Sequence, residues 1–308
     1  KLNFNLIDGS NLTCYQLLQE NDQTDESIKI FWEPLVLATL NSQIEDAPAD
    51  LLIVVLRRAF FSSAFNSMMV LPTKGLSELI EPIIDKINKS GSDYYPETKL
   101  KKIEFEGDRI KCLNLSNDSS LESDYYLVCT QPNELLKYLP ENDLLSENLK
   151  MYVYSPIISV YLWFDKDIFD FDFAGIVNSE IHWVFNRRKF MNSVNNDYPC
   201  FITHVISSAD KLIEMNNKEI LDYCINELEK YFCDFTKIKL LHSRIIKEKF
   251  ATFRSNIEIE PKRPENKTKY DNLFIAGDWT NTQLPATIEG AAVSGGRAAD
   301  EIIKLLQG

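Results

Sequence analysis

Glycine is scarce in this chain and unevenly placed, and its placement limits what the C-terminal end can fold into. Of ten glycines in 308 residues, five (Gly277, Gly290, Gly295, Gly296 and Gly308) fall after residue 276. Glycine permits backbone angles and close approaches that a Cβ forbids. The segment reads Asn272-Leu-Phe-Ile-Ala276, an apolar run predicted as a buried strand, and then the turn Gly277-Asp278-Trp279-Thr280. After Pro285, residues Ala286 to Ala299 predict a helix with a face of small residues. Pro285 suits a helix start, and the Thr287 hydroxyl can satisfy free amides there. A strand, a Gly-Asp turn and a helix N-terminus together make an anion-binding arrangement, with Asp278 placed to accept from sugar-like hydroxyls. The same spacing also suits a tight strand–helix corner in which Asp278 is only a cap.

Hydrophobic periodicity divides the rest of the chain. Helical spacing runs from Glu26 to Leu40, and a second helix opens at Pro48 and continues through Leu51–Leu56 toward Phe60. Leu71-Pro72 breaks the pattern, and another helix is expected from Gly75 to Ile87, with a bend near Pro82. From Ser92 the period changes to two. Residues 101–106 and 109–115 alternate around Gly107-Asp108, a hairpin, and Asp124 to Thr130 reads as a strand buried on both faces. Strands are also expected at Tyr152–Phe164, Ile181–Phe185, Phe201–Ser207 and Ile238–Phe250. An amphipathic helix is expected over Lys211–Phe232, and a charged loop with Pro261 and Pro264 over Asn256–Asp271.

Composition excludes several classes. Thirty-three Lys and Arg against 46 Asp and Glu give a net charge of −13, which argues against a nucleic-acid partner held by a basic face. The charge-free stretch from Met151 to Phe164 is shorter than a membrane span and is interrupted by Pro156. Six cysteines lie scattered without a Cys-x-x-Cys pair, so reduced thiols are expected and no metal site. His182, His204 and His242 are far apart and read as satisfied or surface side chains. The chain begins at Lys1 and is read as a fragment or a processed chain.

The stretch NLFIAGDWTNTQLPATIEGAAVSGGRAA resembles the C-terminal cofactor motif of the flavin-dependent amine oxidase and carotenoid desaturase superfamily. FWEPLVLATLN (Phe31 to Asn41), MVLPTKGLSEL (Met69 to Leu79) and KEKFATFR (Lys247 to Arg254) resemble the hydroxysqualene dehydroxylase branch. The resemblance implies a mixed α/β, two-domain FAD/NAD(P)-binding fold of amine-oxidase type. Residues 1–71 would form the helical part of a substrate domain, 72–150 and 262–308 the FAD-domain segments, and 151–261 the substrate-domain sheet and helix. Leu127 and Phe274 are then expected in one domain. No Gly-x-Gly occurs in the chain, so the family's opening β-α-β unit with its dinucleotide fingerprint is expected to precede Lys1.

By the same resemblance, Gly277 and Asp278 match the pair that approaches the pyrophosphate and ribityl chain of FAD. Trp279, Pro285, Ala286, Thr287, Ile288, Glu289 and Gly290 belong to the loop and helix start facing the flavin. Gln283 stands where relatives usually have Gly. The implied activity is that of an FAD-dependent oxidoreductase acting on an isoprenoid hydrocarbon, with reductive dehydroxylation of hydroxysqualene to squalene as the leading reaction. A phytoene-type desaturase, an amine oxidase and a remnant without flavin are the alternatives. The substrate is lipid-like. Trp183 and Phe185 are singled out as substrate-lining, with Phe31, Trp32, Phe60, Phe61, Tyr161 and Trp163 as further candidates. Glu33 and Glu289 are eligible by type as general acid, although surface or capping roles suit them better. A cytoplasmic protein is expected, with peripheral contact at the inner membrane through an apolar lip around Leu51–Leu56 and Phe60-Phe61.

Overall fold

The computed structural model describes residues 9–141, 143–191, 198–232 and 235–307. Lys1, Cys233 and Gly308 lie outside the described residues. The chain divides into two units, residues 1–85 with 154–254, and residues 86–153 with 255–308. Its strands, in chain order, are β1 (Leu100–Glu106), β2 (Arg109–Leu115), β3 (Ser120–Leu121), β4 (Tyr126–Val128) and β5 (Tyr154–Phe164). They are followed by β6 (Phe173–Gly175), β7 (Trp183–Asn186), β8 (Cys200–Ser207), β9 (Leu240–Phe253) and β10 (Leu273–Ile275).

The first unit is a helical cluster with an antiparallel sheet. A helix over 25–40 starts at the Thr24 cap and widens into a π-type turn over Ile28–Trp32, where Pro34 brings no amide to continue the α pattern. Its stripe of Ile28, Trp32, Val36 and Leu40 is buried with Cys14, Leu18, Leu51, Leu52 and Leu56 in one core. The helix ends at Asn41, in the left-handed conformation at φ 47°. The Asn41 side-chain amide donates to the Ser155 carbonyl (3.3 Å) and to the Thr252 hydroxyl (2.9 Å), and its oxygen accepts the Ser208 amide at 2.6 Å. One buried asparagine thus ties the helix end to β5, to β9 and to the end of β8.

The sheet has the order β6-β7-β8-β5-β9. Alternation along β5 sends Ile158, Val160, Leu162 and Phe164 to a core shared with Ile202, Ile206 and Val184. The helix Asn217–Tyr231 lays Ile220, Cys224 and Leu228 on that face. It begins at an Asn216–Glu219 capping box and not at Lys211, because the box satisfies the first amides and fixes the start; residues 211–216 form a turn. The opposite face carries Tyr161, Trp163 and Phe201, with Trp163 and Phe201 stacked at 4.5 Å.

The expected helix from Gly75 to Ile87 is two pieces, a 3₁₀ turn at Leu76–Leu79 and a helix at Glu81–Lys89, since Pro82 cannot donate to the preceding turn. Residues 72–85, grouped on sequence with the second segment, cluster with the first unit.

In the second unit β1, β2 and β3 form an antiparallel sheet, with Gly107 at φ 61° in the β1–β2 turn. β10 pairs with β4 in parallel, and Phe274 faces Leu127 in the register. Asn272 holds this pair to the hairpin, its side chain accepting the Ile110 amide at 2.8 Å and donating to the Ile110 carbonyl at 2.9 Å. β10 is buried throughout, but β4 is not buried on both faces as expected. Leu127 is 38% exposed, because among the described residues the parallel sheet has two strands and that side chain is only partly covered.

Candidate functional site

The second unit builds a polar corner at the C-terminal end of β10. Gly277 is required by packing: a Cβ there would sit inside the indole of Trp279, which is 1% exposed and donates from Nε1 to the Thr130 carbonyl at 3.0 Å. The helix that follows runs Ile288–Gln307, starting two residues later than the spacing suggested because Thr287 is its cap. The Thr287 hydroxyl accepts the Gly290 amide at 3.1 Å. Gly290, Ser294 and Ala298 form the buried stripe of this helix. A Cβ on Gly290 would lie 2.9 Å from the Pro285 carbonyl oxygen, so the helix start and the Pro285 turn approach as only glycine allows.

Three residues that sequence reasoning missed hold the corner together. The Ser294 hydroxyl meets the Thr280 hydroxyl at 2.6 Å and accepts the Gly277 amide at 3.1 Å. The buried Asn266 amide donates to Ser294 Oγ (2.8 Å) and to the Ile275 carbonyl (2.9 Å). Arg263, 4% exposed, donates to the carbonyls of Leu284 (2.8 Å) and Asp278 (2.5 Å), to the Thr282 hydroxyl (3.0 Å) and to Glu260 (2.9 Å). The one signal available for Arg263 was a cation between Pro261 and Pro264 in the loop before an apolar strand. Gln283 takes φ 60°, the left-handed conformation that glycine adopts more readily.

Asp278 is half-buried, and burial raises its carboxyl pKa above the ordinary range, with Arg263 and the amides of Asp278 and Trp279 pulling the other way. Ile288 at the helix start is 79% exposed and Glu289 is exposed, so the positive end of a 20-residue helix opens on solvent beside the turn.

The first unit holds a different site. A cavity of about 750 Å³ lies between one sheet face and the two helices over 25–40 and 49–60. Trp183 and Phe185, two apart on β7, line it together, with Phe31, Phe60, Met68 and Met69 among the opposing residues. The other aromatic candidates fall elsewhere. Trp32 is buried in the helical core and donates from Nε1 to Gln23 at 2.9 Å. Phe61 is exposed, and Tyr161 and Trp163 stack with Phe201. Leu51, Leu52, Ile53 and Leu56 are core and form no lip; the exposed apolar run is Phe60, Phe61, Phe65, Met68, Met69 and Val70.

The histidines divide as well. His242 is exposed on β9, whereas His204 is fully buried with neither ring nitrogen hydrogen-bonded among the described residues, contrary to the satisfied histidine expected. Cys14, Cys112, Cys129, Cys200 and Cys224 are free thiols, and no metal-holding cluster occurs among the described residues.

The sequence profile of the flavin containing amine oxidoreductases matches residues 16–303. The chain belongs to this family. Members similar to it include the 15-cis-phytoene desaturase of Arabidopsis thaliana, 26% identical over 82% of this chain and 47% of that protein. The hydroxysqualene dehydroxylase of Sinorhizobium fredii is 27% identical over 87% of this chain and 60% of that one. The chain therefore spans about half the length of the curated relatives it matches. Among solved structures, an oxidoreductase from Methanosarcina mazei superposes with a TM-score of 0.76 at 13% identity, covering 96% of this chain and 69% of that one. Cyclohexylamine oxidase from Brevibacterium oxydans gives 0.68 at 12% identity, covering 96% and 68%. These share the mixed α/β fold.

For a family built on a flavin, the corner supplies fitting chemistry on one side of such a group. A capped, solvent-open helix start offers positive potential, and a half-buried carboxyl stands at the strand's end.

Proposed function

We propose that the chain is the substrate-binding part and C-terminal cofactor-binding part of an FAD-dependent oxidoreductase acting on an isoprenoid hydrocarbon. In this reading Gly277, Asp278 and Pro285 to Gly290 face the flavin, whereas Trp279, buried with its indole N–H on the Thr130 carbonyl, supports the turn from behind. Asp278 accepts hydrogen bonds from hydroxyls of the ribityl chain, and the Ile288–Gln307 helix start favours negative charge on the ring. When bound, the flavin supplies two-electron hydride chemistry. The chain's own contribution is to hold an apolar substrate in a fixed orientation and keep water from it.

The apolar cavity carries the reading. Its aromatic and thioether lining around Trp183, Phe185, Phe31 and Met69 suits a long hydrocarbon, and among the described residues no carboxylate lines it to pair with an ammonium group. The relatives named above act, by their names, on phytoene and on hydroxysqualene, both of which such a cavity suits. Within that class we favour reductive dehydroxylation of hydroxysqualene, with the Phe31–Asn41 block as its support. No helix among the described residues is long and apolar enough to cross a membrane. Substrate would reach the cavity by peripheral contact through Phe60, Phe61, Met68 and Met69 from the cytoplasmic side of the inner membrane.

The test is an assay of the full-length protein with each substrate under matched redox conditions. Squalene from hydroxysqualene is the expected product. Dehydrogenated phytoene with no squalene would move the assignment to the desaturases. Turnover of amines alone would remove the isoprenoid reading.

A further inference from the structure

Beside the apolar cavity lies a second hollow of about 410 Å³ with different chemistry. The helix over 25–40 supplies Lys29 and Glu33 to it, and the β6–β7 turn supplies Glu180 and His182. Pro34, Ile176 and Val177 line both hollows, so the two meet there. Some of the polar groups are already committed: Lys211 pairs with Glu180 at 2.6 Å, and the Tyr223 hydroxyl accepts the Glu180 amide at 3.2 Å.

Two groups keep capacity for a ligand. The half-buried Glu33 carboxyl has no hydrogen bond or ion pair among the described residues. Burial above all, then Glu45, raises its pKa; Glu180 adds to this, and Lys29 and Lys211 oppose it, so its protonated, donating form is favoured more than for a surface carboxyl. His182 accepts the Ser207 amide on Nδ1 at 3.3 Å, which leaves the ring proton on Nε2. Burial lowers its pKa and keeps the ring neutral.

We propose that this hollow receives the oxygen-bearing carbon of a ligand whose hydrocarbon body fills the apolar cavity. His182 Nε2–H donates to the oxygen and Glu33 exchanges a second hydrogen bond with it. The combined site then selects a long isoprenoid alcohol over a hydrocarbon with no polar group, and Glu33 and His182 are specificity residues. This rests on the isoprenoid reading above and names the residues that recognise the hydroxyl within it.

The experiment is tryptophan-fluorescence titration of the full-length protein with geranylgeraniol and with the hydrocarbon of the same skeleton lacking the hydroxyl. The alcohol is expected to bind about tenfold more tightly. In Glu33→Leu or His182→Phe that preference should fall below about threefold with hydrocarbon affinity unchanged, while Glu33→Gln, which still hydrogen-bonds, keeps it. Urea unfolding midpoints equal to wild type establish that each variant is folded. Equal wild-type affinities for the two probes, or an unchanged preference in both Glu33→Leu and His182→Phe, overturn this inference and leave the isoprenoid reading standing. Binding of neither probe overturns both.

Discussion

The corner at the end of β10 and the cavity beside β7 are specified in opposite ways. In the corner each position has one job: Gly277 makes room for an indole, Gly290 for a carbonyl, and Arg263 holds the 278–284 loop through its carbonyls and a hydroxyl. The cavity is bounded by bulky side chains that meet solvent or each other, with Phe31 54% exposed and Met69 53% exposed. A corner of that kind tolerates few substitutions, whereas a wall of that kind tolerates many. Stability should therefore be lost at the corner, and ligand selection at the cavity.

The sharpest way to break this contrast is Arg263→Ala. It strips the partners from Glu260 and from two carbonyls in a buried setting, at a cost of about 3–5 kcal/mol. Urea unfolding would measure it, and a loss under about 1 kcal/mol would mean that the loop holds itself. Gly290→Val comes next. Its side chain must displace the Pro285 turn, for an expected loss of about 1–3 kcal/mol in the same measurement.

A third probe uses pH. His204 is a neutral ring in the sheet core, with burial pushing its pKa down to about 3. Unfolded, it titrates near the ordinary 6.5, so between these values the unfolded chain binds a proton that the folded chain refuses. Its contribution to stability is unaffected above pH 6.5 and falls progressively as the pH drops toward 3. His204→Leu should flatten the acid side of the stability profile, leaving the smaller slope from His182, whose pKa burial also lowers. Urea midpoints at neutral and mildly acid pH that fall equally in wild type and variant would contradict this. The smallest effect is expected at the cavity wall, where Phe31→Ser should stay within about 0.5 kcal/mol of wild type while weakening hydrocarbon binding.

Legibility in the sequence followed the same divide. Gly277, Gly290 and the Thr287 cap could be read because steric and capping rules act over a few residues. Arg263, Asn266 and Ser294 could not, since their partners lie up to 28 residues away and nothing local announces a buried polar network. Alternation placed Trp183 and Phe185 on one sheet face, but only the helices over 25–40 and 49–60 decide that this face bounds a cavity. Trp32 sits one residue from Phe31 on the same helix and points into the core instead. The over-long start assigned to the Asn217–Tyr231 helix has a similar origin, because Leu212 and Ile213 are buried in a turn that mimics helical spacing.

Whether the corner holds a flavin is tested most directly by flavin absorbance per mole of purified full-length protein. Wild type is expected to carry flavin. Asp278→Ala should lose a charge-assisted hydrogen bond worth about 1.5–3 kcal/mol, and so retain the cofactor one to two orders of magnitude less tightly, while melting near the wild-type temperature. Wild-type flavin content in the Asp278→Ala protein would leave Asp278 as a turn residue only and place the cofactor elsewhere.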